Sequence, residues 1–467
     1  MALLGNYWWR AGPATCGRLS VARFNKSDSK VCMDPIQIGL LGLSLLFILI
    51  LLHVPIGVAM GIAGLVGTGL IIGWQPALTL VATEPTSAIA NEGLGVVALF
   101  LLMGNLAFVG GLSSELYRLF QSFLGHRRGG LALATIGSCA GFGAVCGSAV
   151  ATTATMAKVA LPEMLKRSYA KSLASGTIAA GGTLGIIIPP SVILILYGVL
   201  TENSILTLFI ASVLPGLLAT LLYVLAVLLV VAYQPSLAPI GEATTSRERL
   251  ATVRGCWAVL SLAVIVGIGI YSGLFTVTEG ASVGATFAFV ITLLRGKLGW
   301  SNFLLAMRDT AKGTGLVFVM IIGASIFGYF VSLSGMPGAV VAWIKTLGWS
   351  NLAVLAVLLV VYLIGGAFFD EIALMILTLP FVYPLILSMG YDPIWWGVIN
   401  VVVIELGMII PPIGINVFVV KGIAKDIPIG TIYRGVMPFV CANLVRLALL
   451  VLFPAISLWL PKTLGWL

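Results

Sequence analysis

The chain is poor in charge. Of its 467 residues, 9% are Asp, Glu, Lys or Arg and 60% are hydrophobic, with a mean hydropathy of +1.13. That balance excludes a soluble globular protein. Histidine is nearly absent, with only His53 and His126, too few for a histidine-based metal or catalytic centre. The six cysteines (Cys16, Cys32, Cys139, Cys146, Cys256, Cys441) lack metal-ligand spacing and read as small packing residues. There is no Walker A pattern, no GxSxG and no HExxH, so neither ATP coupling nor a hydrolytic centre is signalled. The expectation is a protein that is not an enzyme and carries no cofactor. A net charge of +9 does not point to nucleic acid here. In so apolar a chain the useful question is which loops hold the Lys and Arg.

What the chain has in quantity is glycine, 55 residues, which suits close helix packing in a membrane. One stretch organises the rest. Residues 181–190 (GGTLGIIIPP) lie inside an apolar run from about 170 to 200. Glycines and a proline pair cannot continue a helix, and irregular backbone in lipid survives only around protein or a polar cavity. The run reads as a broken helix with bare backbone groups at membrane depth. Residues 405–416 (ELGMIIPPIGIN) echo it: Gly185 pairs with Gly407, an offset of 407 − 185 = 222. Paired breaks in two halves of an apolar chain point to the binding site of a secondary transporter.

Along the chain, residues 1–32 are a basic extension, with Arg10, Arg18, Arg23, Lys26 and Lys30, ahead of a start expected at Met33. A first repeat is expected over 33–233. It holds segments at about 35–53, 56–74 and 94–112, an interfacial amphipathic stretch at 114–128, a re-entrant helical hairpin at about 130–165, the broken helix at about 170–200 and a segment at 205–233. Each half of the hairpin is too short for the roughly 20 residues that a crossing needs. A polar cytoplasmic linker, 234–254, carries Glu242, Arg247, Glu248, Arg249 and Arg254. The second repeat, 255–467, follows the same order: segments at about 255–273, 279–294 and 313–332, an amphipathic stretch at 336–348, a hairpin at about 350–388, a broken helix at about 393–424 and a last segment at 436–460. The hairpins align without a gap when Gly147 is set on Gly365 and Pro162 on Pro380. Together these features make a moderate case for an internal repeat.

Charge orients the two halves. Five crossings per half make the second inverted relative to the first. Loops on one side then hold sixteen Lys and Arg, among them Arg118, Arg127, Arg128, Lys166, Arg167 and Lys171. The other side holds only Lys345 and Lys462. The positive-inside rule places both termini outside the cytoplasm.

Several residues can carry chemistry. At the first hairpin tip, Gly147, Ser148, Thr152 and Thr153 suit an anion at helix amides or a cation at exposed carbonyls, or simply close packing. Asp370 and Glu371 at the second tip are ionisable groups in an apolar run, functional by default, unless one only caps the next half-helix. Glu405 can bind a cation or brace the second break, and Asn416 can offer a side-chain carbonyl. Arg446 suits snorkelling or pairing with a partner subunit better than substrate contact. Lys158 is expected to reach the inner interface.

From about Met33 onward the chain resembles the large membrane subunit of the tripartite ATP-independent periplasmic (TRAP) transporters, the DctM-like family. The resemblance rests on four motifs in combination: GSAVATTATMAKVALPEM; GGTLGIIIPPSVILILYGVLTENSI with ASVLPGLL; GAFFDEIALMILTLPFVYPLI; and ELGMIIPPIGINVFVVKGIAKDI. It implies an all-α polytopic protein of two inverted repeats working as an elevator. It also implies sodium-coupled uptake of an organic acid across the bacterial inner membrane, with a small four-helix membrane subunit and a periplasmic substrate-binding protein as partners. A stand-alone sodium/dicarboxylate symporter of similar architecture is the alternative. Carried over from the family, one sodium site is Gly147, Ser148, Thr152, Gly182, Thr183 and Gly185. The other is Gly366, Asp370, Gly407, Pro411 and Asn416. Substrate would lie between the tips, near Ser148, Thr152 and Asp370. Three positions depart from the family's usual residues: Cys146 for Ser, Thr152 for the Asp of some members, and Ile410 for Thr. Each replaces a better oxygen ligand.

Overall fold

The structure is a computed structural model, and it describes residues 33–241 and 244–467. The extension 1–32 and Glu242 of the linker lie outside the described residues. Every regular element among those described is helical. In chain order the first half holds α1 (Pro35–Leu51), α2 (Ile56–Ile72), α3 (Trp74–Ala90), α4 (Glu92–Val109), α5 (Leu112–Leu124), α6 (Gly130–Cys146), α7 (Ala149–Lys166), α8 (Lys171–Ile187), α9 (Val192–Thr201) and α10 (Ile205–Tyr233). The linker forms α11 (Ser246–Gly255). The second half holds α12 (Trp257–Tyr271), α13 (Val277–Leu294), α14 (Trp300–Ser334), α15 (Met336–Thr346), α16 (Asn351–Phe368), α17 (Glu371–Ser388), α18 (Pro393–Gly407), α19 (Ile415–Ile423), α20 (Ile429–Leu452) and α21 (Ala455–Thr463). Among the described residues, eight helical segments are long and apolar enough to cross a membrane, with α8 and α9 counted together, or nine if the bent pair α11–α12 is one span. The protein is a polytopic α-helical membrane protein.

Burial is arranged for lipid. The α8–α9 segment is 83% buried, whereas α16 is 28% buried, and Leu352, Val357, Val360, Val361 and Ile364 of α16 face outward. An apolar residue on the outside costs nothing where the solvent is hydrocarbon, so the hydrophobic effect does not sort these helices. Packing and polar satisfaction do. The two broken helices therefore occupy the centre, where neighbouring helices can serve their bare backbone groups. The halves interdigitate: α2 runs along α14, α4 along α13, and α8 against α20. Small residues permit this. A Cβ added at Gly435 would lie 1.9 Å from the Ser172 carbonyl oxygen, and one at Gly176 would lie 2.2 Å from the Gly435 carbonyl carbon.

Three elements differ from the sequence expectation. Helix α3 was not foreseen, because its Gln, Thr and Glu residues interrupt the apolar pattern. It buries only Ala77 and Ala88. Helix α14 starts well before residue 313 and runs 35 residues, since its polar first turns are still good helix. The last segment is two helices, because α20 ends at Leu452 and Pro454 caps α21.

The linker is stitched to the first half. The Ala170 amide donates to the Leu237 carbonyl at 2.9 Å. The Thr244 hydroxyl donates to the Ser122 carbonyl, and the Arg249 guanidinium lies 5.8 Å from the Phe123 ring centroid. A capping box of Thr245 and Glu248 opens α11.

The close approach of α8 and α20 gives a direct test. Gly435→Ala puts a methyl group into backbone, so it should lower the melting temperature of the detergent-solubilised protein, consistent with an overpacking cost of about 1–3 kcal/mol. Gly267→Ala meets nothing within 4 Å and should leave the melting temperature unchanged.

Candidate functional site

Each hairpin tip docks on one break. Helix α6 ends at Gly147 in the left-handed region (φ 66°), and Ser148 starts α7 as N-cap, accepting from the Ala151 amide at 3.5 Å. The Gly147 carbonyl accepts from the Val192 amide at 3.3 Å, just past the first break. Glycine lets the surfaces meet. A Cβ at Gly143 would lie 2.7 Å from the Gly185 Cα, and one at Gly185 would lie 2.5 Å from Thr152 Oγ1 and 2.8 Å from the Ser148 carbonyl. A Cβ at Gly182 would collide with Thr153 Oγ1, at 1.7 Å.

The second tip repeats the device. The Ala367 carbonyl accepts from the Gly414 amide at 3.2 Å. Gly366 and Gly407 touch through backbone, so a Cβ on Gly407 would lie 2.6 Å from the Gly366 Cα. The donors of the two docking bonds differ by 414 − 192 = 222, and their acceptors by 367 − 147 = 220. The helix starts correspond: 371 − 149 = 222 for the second hairpin arms and 393 − 171 = 222 for the broken helices.

The offset of 222 therefore holds for the helix starts, and it pairs the N-caps Ser148 and Asp370. The gapless pairing of Gly147 with Gly365 was displaced by four residues, because it sets a helix-ending glycine on a residue inside α16. Four residues is close to one helical turn, so a slipped alignment still matches small with small and apolar with apolar.

The expected site residues divide into two groups. Gly147, Ser148, Thr152, Gly182 and Gly185 converge at the first break, and Gly366, Gly407 and Asn416 at the second. Three others sit apart from these contacts. The Thr183 hydroxyl turns away from the hairpin and lies 3.0 Å from the Tyr223 hydroxyl on α10. Asp370 is half-buried and caps α17, accepting from the Ile372 amide at 3.2 Å. Pro411 is exposed. Both Pro–Pro bonds, 189–190 and 411–412, are cis.

Oxygen is the chemistry of both sites. Thr152 Oγ1 and Thr153 Oγ1 are buried with no hydrogen-bond partner. So is Asn416 Oδ1, while the Asn416 amide donates to the Met408 carbonyl at 3.1 Å and its Nδ2 to the Ala179 carbonyl of α8 at 3.2 Å. A buried oxygen without a partner is costly, and hard cations bind through oxygen ligands. The oxygen donors fit a small hard cation, with the buried Cys146 thiol beside Thr152 at the first tip. The Ala179 carbonyl was not read from the sequence, because a backbone group leaves no signal there.

Two charged residues behave differently from their sequence reading. Arg446 neither snorkels nor waits for a partner subunit. It donates through Nη2 to Glu405 Oε1, and both side chains are fully buried. Glu371 is the buried carboxylate of the second tip, 5% exposed, with Oε2 unpartnered. Lys158 is exposed, with its ammonium 5.6 Å from the Phe108 ring centroid.

The sequence profile described as "Tripartite ATP-independent periplasmic transporter, DctM component" matches residues 43–456. The chain is 34% identical over 406 residues to the C4-dicarboxylate TRAP transporter large permease protein DctM of Pseudomonas aeruginosa, covering 84% of this chain and 94% of that one. The chain belongs to the TRAP transporter large permeases. Other similar TRAP large permeases are named for different substrates: the sialic acid protein of Vibrio cholerae, 30% identical over 82% of this chain and 90% of its own length, and the ectoine/5-hydroxyectoine protein of Ruegeria pomeroyi, 30% identical over 89% and 96%. Among solved structures the fold is similar to the Alcanivorax borkumensis YdaH transporter, with TM-score 0.54 and 16% identity over 84% of this chain and 90% of that one. It is also similar to Neisseria gonorrhoeae MtrF, with TM-score 0.52 and 15% identity over 92% and 96%. As a TRAP large permease, the protein is a transporter subunit and not an enzyme.

The Glu405–Arg446 pair makes a stability prediction. Removing one partner strands a buried charge, at a cost of about 3–5 kcal/mol. Arg446→Met alone should therefore lower the melting temperature steeply, and Glu405→Gln with Arg446→Met should recover most of the loss.

Proposed function

We propose that this TRAP large permease imports an organic acid by sodium symport, with an elevator-type movement of two inverted repeats. A periplasmic binding protein delivers the substrate, and a small four-helix membrane subunit completes the complex. The setting is the bacterial inner membrane, with both termini on the periplasmic side, as the distribution of Lys and Arg favours. One observation carries the reading. At each break, glycine contacts seat a hairpin tip against a broken helix, and buried oxygens, Thr152 Oγ1 at one and Asn416 Oδ1 at the other, have no protein partner. Sodium supplies the missing partner at both places. The relatives' names span C4-dicarboxylates, sialic acid and ectoines, so the binding protein is the natural selector of the acid. Substrate between the tips would meet the free amides that start α7 and α17, which favour negative charge. We assign its side-chain contacts to Ser148, Thr152 and Asp370.

The decisive experiment is uptake into proteoliposomes containing the permease with both partner proteins. Uptake should require an inward sodium gradient. Full uptake on a proton gradient without sodium would refute the coupling.

The individual ligands can be tested in the same assay. Thr152→Val keeps the volume and removes the oxygen, so the sodium concentration for half-maximal uptake should rise about tenfold, equivalent to about 1.4 kcal/mol, with normal insertion. Asp370→Asn is the sharper probe at the second tip. Asn is nearly as good an N-cap, so a comparable rise would assign the effect to the lost charge and not to the cap. An unchanged sodium dependence would leave Asp370 as a cap alone. Because Glu371 is buried, Glu371→Gln is no neutral control. Glu84→Gln, on exposed α3, serves instead.

A further inference from the structure

A polar cluster outside the glycine contacts joins the two broken helices. The Thr183 hydroxyl on α8 donates to the Ala180 carbonyl at 2.8 Å. It also hydrogen-bonds the Tyr223 hydroxyl on α10 across 3.0 Å, where either oxygen can donate. Tyr223 in turn accepts from Asn443 Nδ2 on α20 at 2.5 Å. Beside this chain of bonds lies the Glu405–Arg446 pair, which ties α18 to α20. Glu405 also neighbours the Thr183 hydroxyl. Thr183, Tyr223, Glu405, Asn443 and Arg446 are all fully buried. Thr183 stands two residues before Gly185 of the first break, and Glu405 two before Gly407 of the second. The sodium-coupled reading above gives each break its own ion; Asn416 Nδ2 ties the second break to the Ala179 carbonyl of α8, and the polar cluster adds a second tie between them.

We propose that Tyr223 and Asn443, with the Glu405–Arg446 pair, are positioning residues that lock the first break to the second, so that the two sodium sites bind as a unit. The proposal rests on the sodium-coupled reading. Thr183 acts in it as the anchor of α8 to the cluster and not as a sodium ligand through its hydroxyl. A continuous chain of bonds from α8 through α10 to α20 holds α8 in one rotation. The buried charge pair fixes α18 against the same partner helix. A fully satisfied apolar replacement would stabilise such a helix contact as well or better, so stability alone does not account for a cluster of this composition.

The test uses Tyr223→Phe. It removes only the hydroxyl, and the ring keeps its edge-on contact with Phe439, 5.3 Å between centroids. Wild type and variant are compared in proteoliposomes with both partner proteins, by uptake against sodium concentration and by melting temperature without sodium. The expected result is a half-saturating sodium concentration raised at least threefold and a sodium dependence of lower Hill slope, with normal insertion and a modest fall in melting temperature because Asn443 Nδ2 loses its partner. Thr183→Val should give the same phenotype, and the double variant no further loss, because both break one chain of bonds. A Tyr223→Phe curve that superimposes on wild type would overturn the proposal. So would a fall in maximal uptake with the half-saturating sodium concentration and Hill slope unchanged, or effects of the two substitutions that simply add. Sodium-independent uptake by the wild type would instead refute the sodium-coupled reading itself, which keeps the two failures apart.

Discussion

A backbone amide or carbonyl in hydrocarbon must have a partner, and the rest of this structure follows from that constraint. Two helices are broken in the apolar interior, so their freed groups must be served locally. The hairpin tips do it: Gly147 O takes the Val192 amide, and Ala367 O takes the Gly414 amide. Only glycine at 143, 185, 366 and 407 lets backbone approach backbone closely enough. The breaks must also be central, which explains why α8 and α18 are enclosed while α1, α12 and α16 face lipid. Thr152 Oγ1 and Thr153 Oγ1, two of the buried oxygens left unpaired after this accommodation, lie directly against the glycine contacts of the first break.

Much of this was legible in the sequence. GIIIPP and GMIIPP at one spacing located both breaks, because a proline pair is readable without context. Small residues flanked by apolar runs located both tips to within a residue or two. Side-chain direction was not legible. Thr183 sits between Gly182 and Leu184, and only the rotation of α8 reveals that its hydroxyl faces Tyr223 and not the hairpin. Helix α3 was missed because hydropathy registers apolar runs, and a helix rich in Thr and Glu has none. The hairpin register slipped by one turn because helical periodicity makes that error nearly invisible.

Charge was the least legible feature of the interior. A lone Arg446 in an apolar segment and a lone Glu405 in another each had several plausible readings. They are 41 residues apart in sequence and meet only because α18 and α20 pack together. Asp370 and Glu371 illustrate the same point at closer range. Adjacent carboxylates at a helix start look equivalent on paper. The N-cap position turns one toward the free amides of its own helix, while the next residue points about 100° away and is buried.

The linker between the halves has a practical corollary. A polar stretch of this kind would ordinarily be the first choice for inserting an affinity tag or a fusion domain. Here Leu237 is held by Ala170 at the start of α8, and Gly241, Thr244 and Arg249 lie against α5 or Gly125 just after it. The stretch is mechanically part of the first half. An insertion between 237 and 249 would pry open those contacts, so the segment makes a poor cloning site despite its composition.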